Sequence, residues 1–298
     1  MEFEKTLKER TLKVNSIIED FLPEADNTMY KRIMEAMRYS VSAGGKRLRP
    51  VLMLEAYRLC GGKSEHEVYP FMAALEFIHT YSLVHDDLPA MDNDDYRRGK
   101  LTTHKVYGED FGVLAGDGLL NYAYEVMTYA VASSAPENIR KAARAAQTIA
   151  RKAGVFGMVG GQSLDVWLTD KPMNESELDF IFNLKTGALI EAAFMAGGIL
   201  AGAGETVVEK LEKAGNLVGV AFQIKDDILD VTSTQEVLGK PVFSDEKNNK
   251  TTYVTLYGME RASSDVARMS EAAKKLVKEI GDNPFLVELI NKLINREK

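Results

Sequence analysis

Apolar residues recur at intervals of three and four along most of the chain. The pattern covers residues 29–41, 68–88, 111–131, 139–150, 178–200, 207–231 and 254–277. The alternating apolar and polar pattern that is typical of strands is nearly absent. The sequence therefore predicts an all-α protein, a single large bundle of about ten helices.

One of these segments is apolar on more than one face. Residues 188–200, ALIEAAFMAGGIL, have almost no polar side, which is typical of a central buried helix. Gly197 and Gly198 would let another helix approach closely or leave space for a ligand. No glycine- or serine-rich linker divides the chain, so we expect one domain spanning residues 1–298.

Composition narrows the class of protein. The chain has 298 residues, 45% hydrophobic and 27% charged, as in an ordinary globular protein. Its net charge of −7 and lack of a basic patch argue against nucleic acid as a partner. The single cysteine, Cys60, excludes a disulfide within the chain. The first residues are charged, unlike a signal peptide, and no apolar run approaches a membrane span. We expect a cytoplasmic protein.

The first candidate site is an acidic run, HDDLPAMDNDD, at residues 85–95. Five aspartates fall within ten residues, and Arg97 and Arg98 follow. Such a cluster repels itself unless a cation binds it, and divalent ions prefer oxygen ligands. The arginines match the geometry of phosphate oxygens. Taken alone, a solvated acidic loop explains the run equally well.

Spacing suggests a break in the helix at this run. Asp86 and Asp92 are six residues apart, which does not place them on one face of a straight helix, and Pro89 lies between them. Proline interrupts regular helical hydrogen bonding. We therefore predict a break around Pro89 that brings Asp92 back towards Asp86.

A second acidic cluster, QIKDDILD, occupies residues 223–230. Asp226 and Asp230 are four apart and share a helical face, which Gln223 joins from three residues before Asp226. The surrounding residues are apolar. Because buried carboxylates must be paired or ligated, this cluster favours a metal or cation site over a solvated surface.

Five motifs together resemble the trans-isoprenyl diphosphate synthases. They are GGKRLRP at 44–50, DDLPAMD at 86–92, RRG at 97–99, KTG at 185–187 and FQIKDDILD at 222–230. Their order and spacing agree with that family over most of the chain. The four residues between the acidic ends of the first motif resemble bacterial farnesyl and bacterial or plant geranylgeranyl diphosphate synthases.

The resemblance implies a helical bundle around a central cavity, with the two aspartate motifs facing each other across its mouth. It also implies three Mg²⁺ ions: Asp86 and Asp92 would bind two and Asp226 the third, with Asp87, Asp227 and Asp230 binding metal or supporting these ligands. The resemblance also assigns the basic and polar residues to two diphosphate substrates. The allylic diphosphate would take Arg97, Lys185, Thr186, Gln223, Lys240 and Lys250; isopentenyl diphosphate would take Lys46, Arg49, His79 and Arg98.

The implied reaction is the head-to-tail condensation of isopentenyl diphosphate with dimethylallyl or geranyl diphosphate. Asp86, Asp92, Arg97, Lys185, Asp226 and Lys240 would take part in catalysis. In the resembling family, the residues four and five positions before the first aspartate limit the product. Here they are Ser82 and Tyr81, and the bulky Tyr81 favours farnesyl diphosphate over the geranylgeranyl product. An ordinary core tyrosine is the alternative.

Two other functions use similar residues. A class I terpene cyclase needs one diphosphate site, so the second basic set argues against it. A non-catalytic partner subunit would not need two intact acidic motifs. The family is usually homodimeric, and we expect a homodimer. The sequence departs from the family at Phe243, Ser244 and Asn249, in a segment that would cover the diphosphates. Residues 295–298 would be further candidates for closure, with ordinary solvated terminal charges as the alternative.

Overall fold

The computed structural model describes residues 2–25, 28–232 and 251–296, and most of them are helical. The all-α prediction is confirmed. By their internal contacts the residues fall into two compact units. Unit 1 comprises Met1–Val51 and Ser64–Ala146, and unit 2 comprises Leu52–Lys63 and Gln147–Lys298. The single domain over 1–298 stays a prediction.

Unit 1 contains the first acidic cluster. Its helices are α1 (Glu2–Phe21), α2 (Lys31–Val41), α4 (Tyr69–Asp86), α5 (Thr103–Tyr107) and α6 (Glu109–Ala132), with a 3₁₀ turn at Glu65–Glu67 and a hairpin of β1 (Tyr96–Arg97) and β2 (Lys100–Leu101). Two further helices, α3 (Leu48–Leu59) and α7 (Ile139–Ala153), contribute residues to both units.

The core of unit 1 lies along α4. This helix is buried over most of its length and packs against α6, α1 and α2. Pro70 lies in its first turn, where its missing N–H is not needed. At the other end, Gly116 of α6 lies directly against the ring of His85, so that any side chain there would clash. This contact fixes the end of α4 that presents Asp86.

Unit 2 contains the second acidic cluster. Its elements are α8 (Met158–Trp167), α9 (Glu175–Ile181), a π-helical turn (Phe182–Gly187), α10 (Ala188–Ala201), α11 (Glu205–Thr232), α12 (Tyr253–Tyr257), α13 (Met259–Ile280) and α14 (Pro284–Ile294). The 28-residue α11 packs against α10 and α13.

Two segments differ from the predicted helices. The segment predicted as one helix over 254–277 is broken at Gly258, whose φ of +81° separates α12 from α13. The segment predicted over 178–200 is continuous but changes to π-helical hydrogen bonding at Phe182–Gly187. Neither the break at Gly258 nor the π-helical turn changes the spacing of apolar residues enough to be predicted from the sequence. The short helices α5 and α12 add to the ten or so that the period predicts.

The apolar segment forms α10, and most of its residues are buried. A side chain at Gly197 would clash with the backbone oxygen of Met53. A side chain at Gly198 would clash with the side chain of Leu211. The two glycines therefore serve close helix packing rather than space for a ligand. By length and composition alone, the helix Glu175–Ala201 could cross a membrane, but 72% of the apolar window is buried inside the protein, as in a core helix.

Replacing Gly197 with alanine should destabilise the protein. Overpacking of a core typically costs about 1–3 kcal/mol, and here the new methyl group would meet the backbone oxygen of Met53. Chemical denaturation of the Gly197→Ala variant measures the loss. Gly204→Ala is the control, because a side chain at Gly204 meets no atom within 4 Å. Equal stability of the two variants would contradict the close packing at Gly197.

Candidate functional site

The first acidic cluster begins where α4 ends. Asp86 is the last residue of α4 and is half-buried, and the backbone N–H of Asp92 donates to the carbonyl oxygen of Asp86 at 2.8 Å. Asp92 is exposed. The helix therefore breaks at the predicted place, and the chain turns back so that Asp92 returns to Asp86.

Asp87 differs from its neighbour because it is buried, with only 3% of its surface exposed. Arg97 donates from Nε to Asp87 Oδ1 at 2.6 Å. Burial raises the pKa of Asp87, and the bond from Arg97 opposes that shift. Asp87 thus holds the Arg97 guanidinium in place. Asp94 also contacts Arg97, at 3.4 Å, although the sequence indicated no role for it.

Arg97 and Arg98 belong to the β1–β2 hairpin. Arg98 and Gly99 form its turn with φ of +54° and +76°, as a type I′ turn requires at both central positions. The Arg98 guanidinium reaches back and donates to the carbonyl oxygen of Gly44. A side chain at Gly45 would stand 2.6 Å from Arg98 Nη1. Glycine is therefore needed at these positions for two reasons. It permits the positive φ of the backbone, and at Gly45 it leaves room for the Arg98 side chain.

Several arginines surround His79 on α4. Burial lowers the pKa of His79 well below its usual range, and the positive charges of Arg49, Arg98, Arg97 and Arg47 lower it further. His79 is consequently neutral at physiological pH. A neutral histidine among four cations can donate a hydrogen bond to an anion without adding charge.

Arg49 has an unused donor in this group. Burial lowers the pKa of Arg49 to about 10, against the attraction of Glu76. Its Nε is buried and has no hydrogen-bond partner within the described part of the chain. Buried donors normally have partners. An anion such as a phosphate would supply one, so this part of unit 1 has the properties of an anion-binding site. Lys46, assigned to the same ligand, is exposed.

Arg47 and Glu76 are structural residues that the sequence interpretation missed. Arg47 is buried and donates to Glu76 Oε1 at 2.8 Å, to the Val41 carbonyl at 2.7 Å and to Asn15 Oδ1 at 2.7 Å. The pair anchors the backbone between the glycines and α3. The detectable signal was Glu76 itself, a single acidic residue within the otherwise apolar segment 71–78.

In the second cluster Asp226 pairs with Arg296. The side chain of Asp226 is 40% exposed, and Arg296 Nη2 lies 2.5 Å from its Oδ1. The Arg296 guanidinium also lies 3.7 Å from the centre of the Phe222 ring and donates to the Phe222 carbonyl. Burial lowers the pKa of Arg296, while Asp226 opposes the shift. Arg296 is one of the four residues that the sequence connected with closure.

Gln223 joins a different aspartate from the one expected. Thr186 Oγ1 donates to Gln223 Oε1 at 2.9 Å, and Gln223 Nε2 donates to Asp227 Oδ1 at 3.2 Å. The backbone N–H of Tyr253 donates to Asp227 Oδ2 at 2.8 Å. The sequence placed Gln223 on the face of Asp226 and Asp230; in the structure it bonds to Asp227 instead. Gln223 is three residues before Asp226 and four before Asp227, so helical spacing is compatible with either partner. Only the tertiary contacts show that the partner is Asp227.

Lys185 lies in the π-helical turn and binds a carboxylate of α8. Its Nζ is 2.5 Å from Asp165 Oδ2. Asp165, which had no motif to identify it, is a residue that the sequence interpretation missed. A cavity of about 100 Å³ opens here; its polar lining comes from Asp165, Lys185, Thr186, Gln223, Asp227, Thr251 and Thr252. Hydrogen-bond donors and carboxylates therefore both line this pocket.

The carboxylates fit Mg²⁺ as partial ligands. Within the described residues, no group of three or more His, Cys, Asp or Glu side chains could hold a metal by itself. Mg²⁺ is commonly bound through one or two carboxylates, with phosphate and water oxygens completing the octahedron. Asp86, Asp92 and Asp226 have accessible oxygens for this purpose, whereas Asp87 and Asp230 are each only 3% exposed.

Tyr81 lies one turn before the acidic end of α4. It is buried, and its ring packs edge-on against His85 with centroids 5.8 Å apart. Burial, followed by the nearby Tyr124 and Asp86, raises its pKa to about 12, so its hydroxyl stays protonated. Lys240 and Lys250, together with the departures at Phe243, Ser244 and Asn249, lie outside the described residues.

Comparison with known proteins identifies the family of the chain. The profile of the polyprenyl synthetase family matches residues 30–290. A farnesyl diphosphate synthase from Geobacillus stearothermophilus is 41% identical over 272 residues, 91% of this chain and 90% of that protein. A geranylgeranyl diphosphate synthase from Cyanophora paradoxa is also 41% identical, over 97% of this chain and 95% of that protein.

A solved structure shows the same fold. The geranyltransferase from Legionella pneumophila superposes with a TM-score of 0.85 and 33% identity, covering 99% of this chain and 98% of that one. The resemblance inferred from the five motifs is confirmed by sequence and by structure. The chain therefore belongs to the polyprenyl synthetase family.

Proposed function

We propose that this protein condenses isopentenyl diphosphate with dimethylallyl and geranyl diphosphates, in the presence of Mg²⁺, to form farnesyl diphosphate and release diphosphate. The observation that supports it most is the anion-binding group in unit 1, where Arg49 has an unused buried donor beside neutral His79. A second set of donors, Lys185 and Thr186, lies in unit 2. Two sets of donors fit two diphosphate substrates, whereas a terpene cyclase needs one.

The first step breaks the carbon–oxygen bond of the allylic diphosphate. Negative charge develops on the departing diphosphate, and positioned cations lower the barrier by stabilising it. Lys185, Thr186 and Arg97 would donate to its oxygens. Bound through Asp86, Asp92 and Asp226, Mg²⁺ would neutralise further charge on the same group.

The second step forms the new carbon–carbon bond. The double bond of isopentenyl diphosphate attacks the allylic cation, and a proton leaves so that an alkene is restored. The departing diphosphate is basic enough to accept that proton, so no side-chain base is required. Arg49, Arg98 and neutral His79 would hold isopentenyl diphosphate by its own diphosphate during the attack. Exclusion of water protects the cation until the bond forms.

The length of the product rests on Tyr81. Relatives of nearly equal identity are named farnesyl and geranylgeranyl diphosphate synthases, so similarity alone favours neither product. Tyr81 is buried five residues before Asp86. This supports the shorter chain, because a bulky ring at this position would block a longer product. We also propose a homodimer, supported by the exposed apolar side chains of Leu114 and Tyr129 on α6; light scattering measures the mass.

The reaction is tested with purified protein, isopentenyl diphosphate and each allylic diphosphate in turn. We expect a fifteen-carbon product from dimethylallyl and geranyl diphosphate, and none after chelation of Mg²⁺. A twenty-carbon main product would identify geranylgeranyl diphosphate synthesis instead. A hydrocarbon formed without isopentenyl diphosphate would indicate a cyclase, and no product from the protein alone would indicate a partner subunit.

Arg49→Gln should weaken the binding of isopentenyl diphosphate specifically. Loss of one charged hydrogen bond typically costs about 1.5–3 kcal/mol, so KM for isopentenyl diphosphate should rise about tenfold or more. KM for geranyl diphosphate should change little. Steady-state kinetics with each substrate varied in turn gives both constants. Arg32→Gln is the control, because Arg32 is exposed on α2. A larger rise in KM for geranyl diphosphate would refute the assignment.

Tyr81→Ala should lengthen the product. Removing the ring opens space below Asp86, and we expect products of twenty carbons or more in place of farnesyl diphosphate. Chromatography of the dephosphorylated products measures the change. Tyr69→Ala is a matched control, since Tyr69 is the first residue of the same helix and contacts Lys13 and Glu65. If both variants keep the parent's product profile, Tyr81 is an ordinary core residue.

A further inference from the structure

The π-helical turn that presents Lys185 and Thr186 needs an explanation. π-helical turns are rare, because their hydrogen bonds and packing are less favourable than those of an α-helix, and they persist where surrounding contacts hold them. This turn, Phe182–Gly187, interrupts one continuous helix formed by α9 and α10. Contacts on its other side should therefore determine where Lys185 and Thr186 lie.

Two helices approach the turn at glycines. A side chain at Gly161 of α8 would clash with the backbone N of Lys185, and one at Gly219 of α11 would stand 2.7 Å from Gly187 Cα. One turn earlier on α11, a side chain at Gly215 would stand 2.8 Å from Glu191 Cα. The backbones of α8 and α11 therefore touch the turn directly, and small rotations of either helix would move it.

A polar network lies next to these contacts, centred on Asn216 of α11. The amide nitrogen of Asn216 donates to Asn183 Oδ1 at 2.6 Å and to Glu191 Oε1 at 2.7 Å. Asn183 lies within the π-helical turn and itself donates to the Asp179 carbonyl at 2.6 Å. One side chain thus joins α11 to the turn and to the start of α10.

The network ends in a buried charge pair. Glu191 is 5% exposed, and its other oxygen accepts from Lys152 Nζ. Lys152 also donates to Glu212 at 2.7 Å. Burial alone would lower the pKa of Lys152, but its bonds to the two glutamates raise it, so the ammonium stays charged. The pair is largely buried, with 17% of the Lys152 and 7% of the Glu191 side chain exposed, so it can anchor Asn216.

We infer that Asn216, held by the Glu191–Lys152 pair, is a positioning residue that fixes the π-helical turn through Asn183 and so places Lys185 and Thr186 for the allylic diphosphate. The side chains of Asn216, Asn183, Glu191 and Lys152 need not touch substrate to do this. The inference rests on the proposed function, because it acts through the donors assigned to the allylic diphosphate.

The test compares Asn216→Ala with Lys185→Ala and with a matched control. Asn216→Ala should raise KM for geranyl diphosphate about tenfold, since small displacements of binding groups have large effects. KM for isopentenyl diphosphate should change less than twofold. Asn283→Ala is the control: Asn283 is also a part-buried asparagine of unit 2, which donates twice to Glu55 and caps α14. It should lower the melting temperature at least as much and leave both constants unchanged.

A double variant separates positioning from general destabilisation. If Asn216 acts through Lys185, adding Asn216→Ala to Lys185→Ala should raise KM for geranyl diphosphate by less than about twofold, because the two changes are coupled. Should Asn216→Ala fail to fold, Asn183→Ala provides the same test, since it removes the link to the turn and leaves the Glu191–Lys152 pair intact.

The outcomes distinguish failure of the positioning role from failure of the proposed function. If Lys185→Ala raises KM for geranyl diphosphate but Asn216→Ala and Asn183→Ala behave like Asn283→Ala, the positioning role is wrong and the proposed function stands. Fully additive effects of Asn216→Ala and Lys185→Ala would also overturn the positioning role. If Lys185→Ala leaves that constant unchanged, the assignment of Lys185 to the allylic diphosphate fails, and the inference fails with it.

Discussion

A charge on a buried helix must have a partner, and this requirement shapes both units. In unit 1 the buried Asp87 is paired with Arg97, and Arg47 with Glu76. In unit 2 the buried Glu191 is paired with Lys152. For the Arg47–Glu76 pair, in which both side chains are buried, removing one partner typically costs about 3–5 kcal/mol. The pairs therefore fix the position of the neighbouring backbone. The position of the backbone in turn decides which other side chains can contact a ligand.

The two acidic motifs follow one physical arrangement. Adjacent residues on a helix point about 100° apart, so of two successive aspartates one can face the interior while the other stays accessible. Asp87 and Asp227 are buried, whereas Asp86 and Asp226 are more exposed, although Asp226 also pairs with Arg296. The doubled aspartate thus combines a candidate metal ligand with a structural anchor for the donors: Asp87 holds Arg97, and Asp227 holds Gln223 and through it Thr186.

Cations in the candidate site are arranged by backbone features as much as by charge. The type I′ turn at Arg98 and Gly99 lets one arginine bind Asp87 while the next reaches Gly44. In unit 2 the π-helical turn changes the direction of Lys185 and Thr186 relative to the α-helices on either side. Both features are stabilised by contacts from other elements, and the hairpin turn also by Gly99 at its second central position.

The sequence by itself determined the helical class, the break at Pro89 and the residues of the two acidic motifs. Periodicity and short-range spacing suffice for these, since they depend on neighbours within one or two turns. Only the tertiary structure decided that Gln223 bonds to Asp227, that Asp226 meets Arg296, and that residues 182–187 are π-helical. Asp165, Arg47 and Asn216 could not be found in advance for the same reason. Their partners are distant in sequence, and contacts between distant residues produce no periodic pattern in the sequence.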